Sequence, residues 1–160
     1  RQLEETGIRA DYIFHATGTG GTMAGLAAGR KMAESDTKII SITVSPKDEK
    51  YLRKVEKLAN DVLALIKSPA HVTIEEDLHM DTGYYAPGYE QPNEAASEAI
   101  RLLARTEGLF VDPVYTGKAL AGLIDYVRSG KVPQGSNVVF WHTGGATALF
   151  AEHEILGKLY

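Results

Sequence analysis

The 160 residues include no cysteine, which removes disulfides, thiolate metal sites and a thiol nucleophile from consideration. No apolar run nears the roughly 20 residues that a membrane helix needs, and nothing near Arg1 resembles a secretory signal. Positive charge is scarce too. Lys and Arg number 17 against 21 Asp and Glu, so the formal charge is -4 and there is no basic footprint for nucleic acid. The densest basic run, Lys47 to Lys57, is interleaved with Asp48, Glu49 and Glu56 at helical spacing and reads as a solvated helix face. The lack of cysteine fits a reducing cytoplasm. The expectations are therefore a cytoplasmic protein with no membrane and no nucleic-acid partner. The chain opens on Arg1 rather than Met, which predicts a natural beginning further upstream.

What is present is an alternation of short apolar runs and longer amphipathic ones, the pattern of βα units around a mainly parallel sheet. Strands are expected at 11–17, 37–45, 71–76, 109–113 and 137–142, with helices at 21–34, 47–66, 94–106 and 117–129. Pro46 would open the second helix and Asn93 would cap the third. "TGGATALF" reads as a second glycine turn opening a helix, and Asp77 to Asn93 reads as one long loop of the kind that usually carries function. In an open parallel sheet, ligands collect beyond the carboxyl ends of the strands. The loops at 17–22, 113–117 and 142–145 all follow expected strands, so they are expected to share one site.

The glycine turn "TGTGGT", Thr17 to Thr22, places backbone amides and three hydroxyls at a helix start, where an anion is favoured. A dinucleotide fingerprint fails because Met23 stands where its third glycine belongs. A nucleoside-triphosphate loop fails because Leu26 and Ala27 replace its Lys and Ser/Thr. A phosphomonoester remains, against the alternative of a tight turn that binds nothing. Elsewhere, His142 serves either a ligand edge or the structure, and Asp112 either orients the loop after it or only forms a turn. Trp141 reads as core. His71, Asp77, His79 and Asp81 match no metal-ligand spacing, so no metal is expected.

With "TGTGGTMAGL", "APGYEQPN", "EGLFVDPVYTGKALAGL" and "HTGG" in this order, the chain resembles the pyridoxal-phosphate enzymes of the tryptophan synthase β-subunit fold, fold type II. Within them it is most similar to the D-cysteine desulfhydrase and 1-aminocyclopropane-1-carboxylate deaminase family. The resemblance covers nearly all 160 residues. It implies an α/β, Rossmann-like three-layer sandwich and pyridoxal 5'-phosphate as cofactor. It also implies a small amino-acid substrate and a homodimer at full length. Thr17, Gly18, Thr19, Gly20, Gly21 and Thr22 would hold the cofactor phosphate, and Thr116 and Thr143 would lie near the pyridine nitrogen. Tyr115 and Tyr89 would be catalytic, on the substrate side of the ring.

Two departures matter. The deaminases resemble this chain but carry a glutamate where it has Thr116, which favours D-cysteine elimination over deamination; a cysteate sulfo-lyase stays as a further alternative. No lysine stands where the family places its covalent anchor, because that residue belongs to the first half of a chain about twice as long. Lys118 reads instead as a solvated helix residue or an anion's neighbour. The expectation is that residues 1–160 form the C-terminal part of such an enzyme, inactive alone, with a phosphate- or vitamin-binding module as the non-enzyme alternative.

Overall fold

A computed structural model describes residues 2–152. After the short helix α1 (Gln2–Glu5) come β1 (Tyr12–Thr17), α2 (Gly21–Met32), β2 (Lys38–Thr43) and α3 (Glu49–Leu65). There follow α4 (Ile74–Asp77), β3 (His79–Asp81), α5 (Glu94–Glu107), α6 (Thr116–Arg128), β4 (Val138–Phe140) and α7 (Ala148–Ala151). The four strands pair in parallel in the order β3-β2-β1-β4. Tyr12 to Thr17 lie in register with Lys38 to Thr43. The expected three-layer α/β sandwich is what forms.

Alternation along the strands assigns the two faces. Phe14, Ala16, Ile40, Ile42 and Val44 pack with Ala119 and Leu123 of α6, and α5 packs on α6 through Ala99, Ile100 and Leu120. The opposite face carries His15, Thr17, Ser41 and Thr43, all buried. On that side Met23, Ala24, Ala27 and Ala28 of α2 meet Val55, Ala59 and Leu63 of α3. His15 bridges the polar face, with Nδ1 donating to the Ala16 carbonyl at 2.9 Å and Nε2 accepting from the Ser41 hydroxyl at 2.7 Å. Burial pushes its imidazole down to about 4, so it is neutral at pH 7.

Several sequence expectations are corrected. Residues 71–76 are not a strand. Val72 is fully buried against α3, and Ile74 to Asp77 form a helical turn whose Asp77 carboxylate accepts the Thr73 N–H at 2.8 Å. The strand falls three residues later, at β3, inside the stretch read as loop. Asp77 also receives Arg30 at 2.6 Å and Lys31 at 3.2 Å, while Asp81 accepts from Tyr126. Among the described residues no group of three or more His, Asp or Glu could hold a metal. Residues 109–113 form no ladder, and α3 starts at Glu49 behind an Asp48 cap, so Pro46 lies outside it. Trp141 is not core. It follows β4, the edge strand of the described sheet, and is 47% exposed. Asn93 caps α5 as expected, accepting the Ala96 N–H at 2.7 Å.

Candidate active site

The three loops that follow strands meet in one cavity of about 350 Å³. Its lining contains Thr17, Gly18, Thr19, Gly20, Gly21 and Thr22 from the first turn, Thr143 to Gly145 from the last, and Tyr115 and Asp112 between them. The first turn is shaped by its glycines. Gly20 has φ of 101°, and a Cβ there would lie 2.7 Å from Val55 Cγ2. Gly18 lets the Tyr115 ring approach, since a Cβ would sit 3.1 Å from Tyr115 Cε1. Gly20 sits at the N-cap of α2 and no side chain caps this helix, so its first amides are left for a ligand or water. Thr17 lines the cavity and also braces the turn. Its hydroxyl is buried and paired with Tyr51 Oη at 2.8 Å, tying the turn to α3.

Asp112 organises the middle loop. One of its carboxylate oxygens accepts the N–H groups of Val114 (2.8 Å) and Tyr115 (2.7 Å). The other accepts Thr116 N–H (2.8 Å) and Thr116 Oγ1–H (2.6 Å), while Asp112 N–H donates back to Thr116 Oγ1 at 2.9 Å. This ring of bonds replaces the expected strand pairing and fixes the start of α6. Thr116 is therefore fully buried under the cavity with its only hydroxyl proton directed at Asp112, and it is not among the lining residues. Asp112 also touches the second glycine turn, where a Cβ on Gly145 would come within 2.7 Å of Oδ1. Of the two roles open to Asp112, the structure shows the one that orients the loop after it. Its signal was local, an acid followed by proline just before a helix start.

Tyr115 and Tyr89 are brought together, with their hydroxyl oxygens 2.6 Å apart and their rings edge to face. The hydrogen bond to Tyr115, with a smaller effect of burial, pushes the Tyr89 phenol up to about 12. Tyr89 sits on the loop before α5, and Lys118 holds that loop. The expectation of a solvated Lys118 is overturned: it is fully buried, and Nζ donates to the carbonyls of Gly88 (2.7 Å) and Tyr85 (3.2 Å). Burial pushes its ammonium below the usual lysine range, and the charge of Asp112 opposes that shift. His142 serves the structure, because Nε2 donates to the Phe110 carbonyl at 2.8 Å and Nδ1 accepts the Gly144 N–H at 3.1 Å.

The chain is 42% identical over 151 residues to a 1-aminocyclopropane-1-carboxylate deaminase of Ralstonia nicotianae, covering 94% of this chain and 44% of that protein. It is 44% identical over 156 residues to a D-cysteine desulfhydrase of Salmonella typhi, covering 96% of this chain and 45% of that one. The chain thus spans less than half the length of these curated relatives. The crystal structure of an ACC deaminase homologue superposes with a TM-score of 0.81 at 32% identity, over 93% of this chain and 44% of that one. A threonine deaminase structure shares the fold at 17% identity, with a TM-score of 0.58. The family described as "Pyridoxal-phosphate dependent enzyme" matches residues 1–144. With nine-tenths of its length inside that match, the chain belongs to the pyridoxal-phosphate dependent enzymes.

Proposed function

We propose that these 160 residues are the C-terminal, cofactor-binding part of a lyase that converts D-cysteine and water to pyruvate, sulfide and ammonia. The observation that carries the reading is the convergence of the uncapped α2 start, the Tyr115 loop and the Thr143 turn on one cavity. The cavity suits pyridoxal phosphate. The amides from Gly18 to Thr22 and the positive end of α2 match a phosphate dianion, and the volume lies in the range of small-molecule sites. When bound, the cofactor would supply an electron sink for the bond broken at the substrate's Cα.

The chain's own residues would bind and move protons around it. Gly18, Thr19, Gly20, Gly21 and Thr22 hold the phosphate, with Thr17 bracing their turn from α3. Thr143, in the lining, serves the ring nitrogen, while Thr116 lies beneath the lining with its hydroxyl bonded to Asp112 and puts no carboxylate of its own toward that nitrogen. Tyr89 donates to Tyr115 Oη, consistent with its raised phenol, and this leaves the Tyr115 O–H available to the departing sulfur. Thr116 also favours elimination of a Cβ leaving group over the deaminase reading, because a neutral group gives the ring less of the pull that cyclopropane opening requires; the sulfo-lyase reading is separated by the product released.

No lysine lines the cavity among the described residues. The covalent anchor is therefore assigned to chain outside these 160 residues. An apolar groove bordered by Leu3, Ile8, Leu26 and Trp141, beside β4, supports further chain packing there. The cysteine-free composition supports a cytoplasmic location, and the family resemblance supports a homodimer, to be checked by light scattering on the full-length protein. No helix among the described residues is long and apolar enough to cross a membrane.

The test is to add pyridoxal phosphate to the full-length protein, record the bound cofactor's absorbance, and then offer D-cysteine, 1-aminocyclopropane-1-carboxylate or cysteate. Sulfide from D-cysteine is expected. Release of 2-oxobutyrate or sulfite alone selects the deaminase or the sulfo-lyase instead, and cofactor binding without turnover of any of the three selects the non-enzyme module. The 160-residue chain by itself is expected to release no sulfide.

A further inference from the structure

A second chamber, of about 450 Å³, adjoins the first and shares Gly18, Thr19 and Tyr115 with it. Tyr115 belongs to both walls, in the position that the bare Gly18 permits. The remaining lining has a different character from the phosphate cradle. It brings two cations, Lys47 and Lys54, to the hydroxyls of Tyr51, Tyr89 and Ser45, and it includes no carboxylate. Lys47 Nζ lies 5.0 Å from the Tyr51 ring centroid, a cation–π contact that holds the ammonium beside the chamber.

Glu90 is the acid beside the chamber, acting on the Tyr89 hydroxyl, and the acids around the two lysines are engaged elsewhere, Glu56 accepting the Ile74 N–H at 3.0 Å. Asp48 accepts the Tyr51 N–H at 3.0 Å as the cap of α3, Glu49 pairs with Arg53, and Asp61 pairs with Lys57. Among the described residues, no ion pair is formed by Lys47 or Lys54. The basic run that reads in sequence as a solvated face thus divides in two. Arg53 and Lys57 form exposed pairs along α3, while Lys47 and Lys54 border a donor-rich chamber next to the tyrosine pair.

We infer that this chamber is an anion subsite, taking a small carboxylate or sulfur anion beside Tyr115 and separate from the phosphate cradle. Two ammonium groups with the Tyr115 and Ser45 hydroxyls form a charge-assisted donor set suited to an anion, and the lining itself holds no acid to oppose it. Under the lyase reading, on which the anion's identity rests, the occupant is either the substrate's carboxylate or the hydrosulfide released at Tyr115.

The test uses the full-length protein loaded with pyridoxal phosphate. Calorimetric titration with sodium propionate, which has a carboxylate but no amino group, and separately with sodium hydrosulfide, is compared between the native protein and a Lys47→Gln/Lys54→Gln variant. Loss of at least tenfold in affinity for one anion is expected. Lys47→Arg/Lys54→Arg should retain it, and the affinity for pyridoxal phosphate should stay unchanged. Weaker propionate binding with a raised KM and preserved kcat assigns the substrate carboxylate. Weaker hydrosulfide binding with a preserved KM assigns the leaving anion. Lys47 is half-buried and Lys54 exposed, so the Gln pair is expected to keep the native thermal midpoint. Equal binding of both anions by the native and Gln proteins, or no binding by the native protein, overturns the subsite. If anions bind in a lysine-dependent way but D-cysteine releases no sulfide, the subsite stands and the lyase reading falls.

Discussion

The turns at Thr17–Thr22 and Thr143–Gly145 are both built of threonine and glycine, both follow a strand, and both reach the same cavity. Their surroundings differ. The first leads into a 12-residue helix with four buried residues on its inner face, and the second leads into a four-residue helix with none. At Gly20 the left-handed backbone is pressed against Val55 of α3, whereas at Gly144 a similar backbone has nothing within 4 Å. The second turn is held by His142, which accepts the Gly144 N–H and donates to the Phe110 carbonyl, and by the close approach of Gly145 to Asp112, instead of by a packed helix. Similar composition thus yields one turn fixed by the core and one fixed by polar latches.

Breaking the packed turn should have the largest effect. Gly20→Ala forces a strained φ and a clash with Val55, and is expected to cost about 3 kcal/mol in urea denaturation. Acid should reach the same region through the strands that carry it. His15 is depressed to about 4 in the fold against 6.5 as a free side chain, so between those values the unfolded chain holds a proton that the folded one lacks. Stability therefore falls as pH drops from 6.5 to 4, by up to about 3 kcal/mol, and His15→Gln should flatten that part of the profile in denaturation midpoints against pH.

Asp112→Asn tests the latch. The amide keeps one acceptor but turns an N–H₂ toward donors, so a loss of about 2 kcal/mol is expected. Faster amide hydrogen exchange should appear at Tyr115, Thr116 and Gly144 and leave Gly20 unaffected; equal change at both turns would mean that they are not held independently. Gly144→Ala should be mildest, about 1 kcal/mol, because only backbone strain opposes it. A cost equal to that of Gly20→Ala would erase the distinction between the two turns.

The sequence discloses these regions unequally for the same reason. β1 is legible as a short apolar and aromatic run and β2 as an Ile-rich one, each closed by turn residues, and the glycine turn after β1 is legible because few residue types tolerate its backbone. The failures cluster where a distant contact outweighs local pattern. Val72 and Ile74 look like a strand until α3 draws them into its cluster, and the acids that follow then favour a helical turn. Trp141 looks like core because a single chain does not show that β4 is the edge strand of the described sheet. In the candidate site, the glycines and Tyr115 are visible from motif order, whereas the buried state of Lys118 depends on carbonyls 30 and 33 residues earlier.

That lysine has a practical consequence. An amine-selective reagent acts on the unprotonated, accessible form, and Lys118 is shielded for as long as its ammonium bonds the carbonyls of Tyr85 and Gly88. Its labelling would begin only when the segment bearing Tyr89 lets go. The rate of that single modification, followed by mass spectrometry, would then act as a clock for how often the tyrosine pair comes apart.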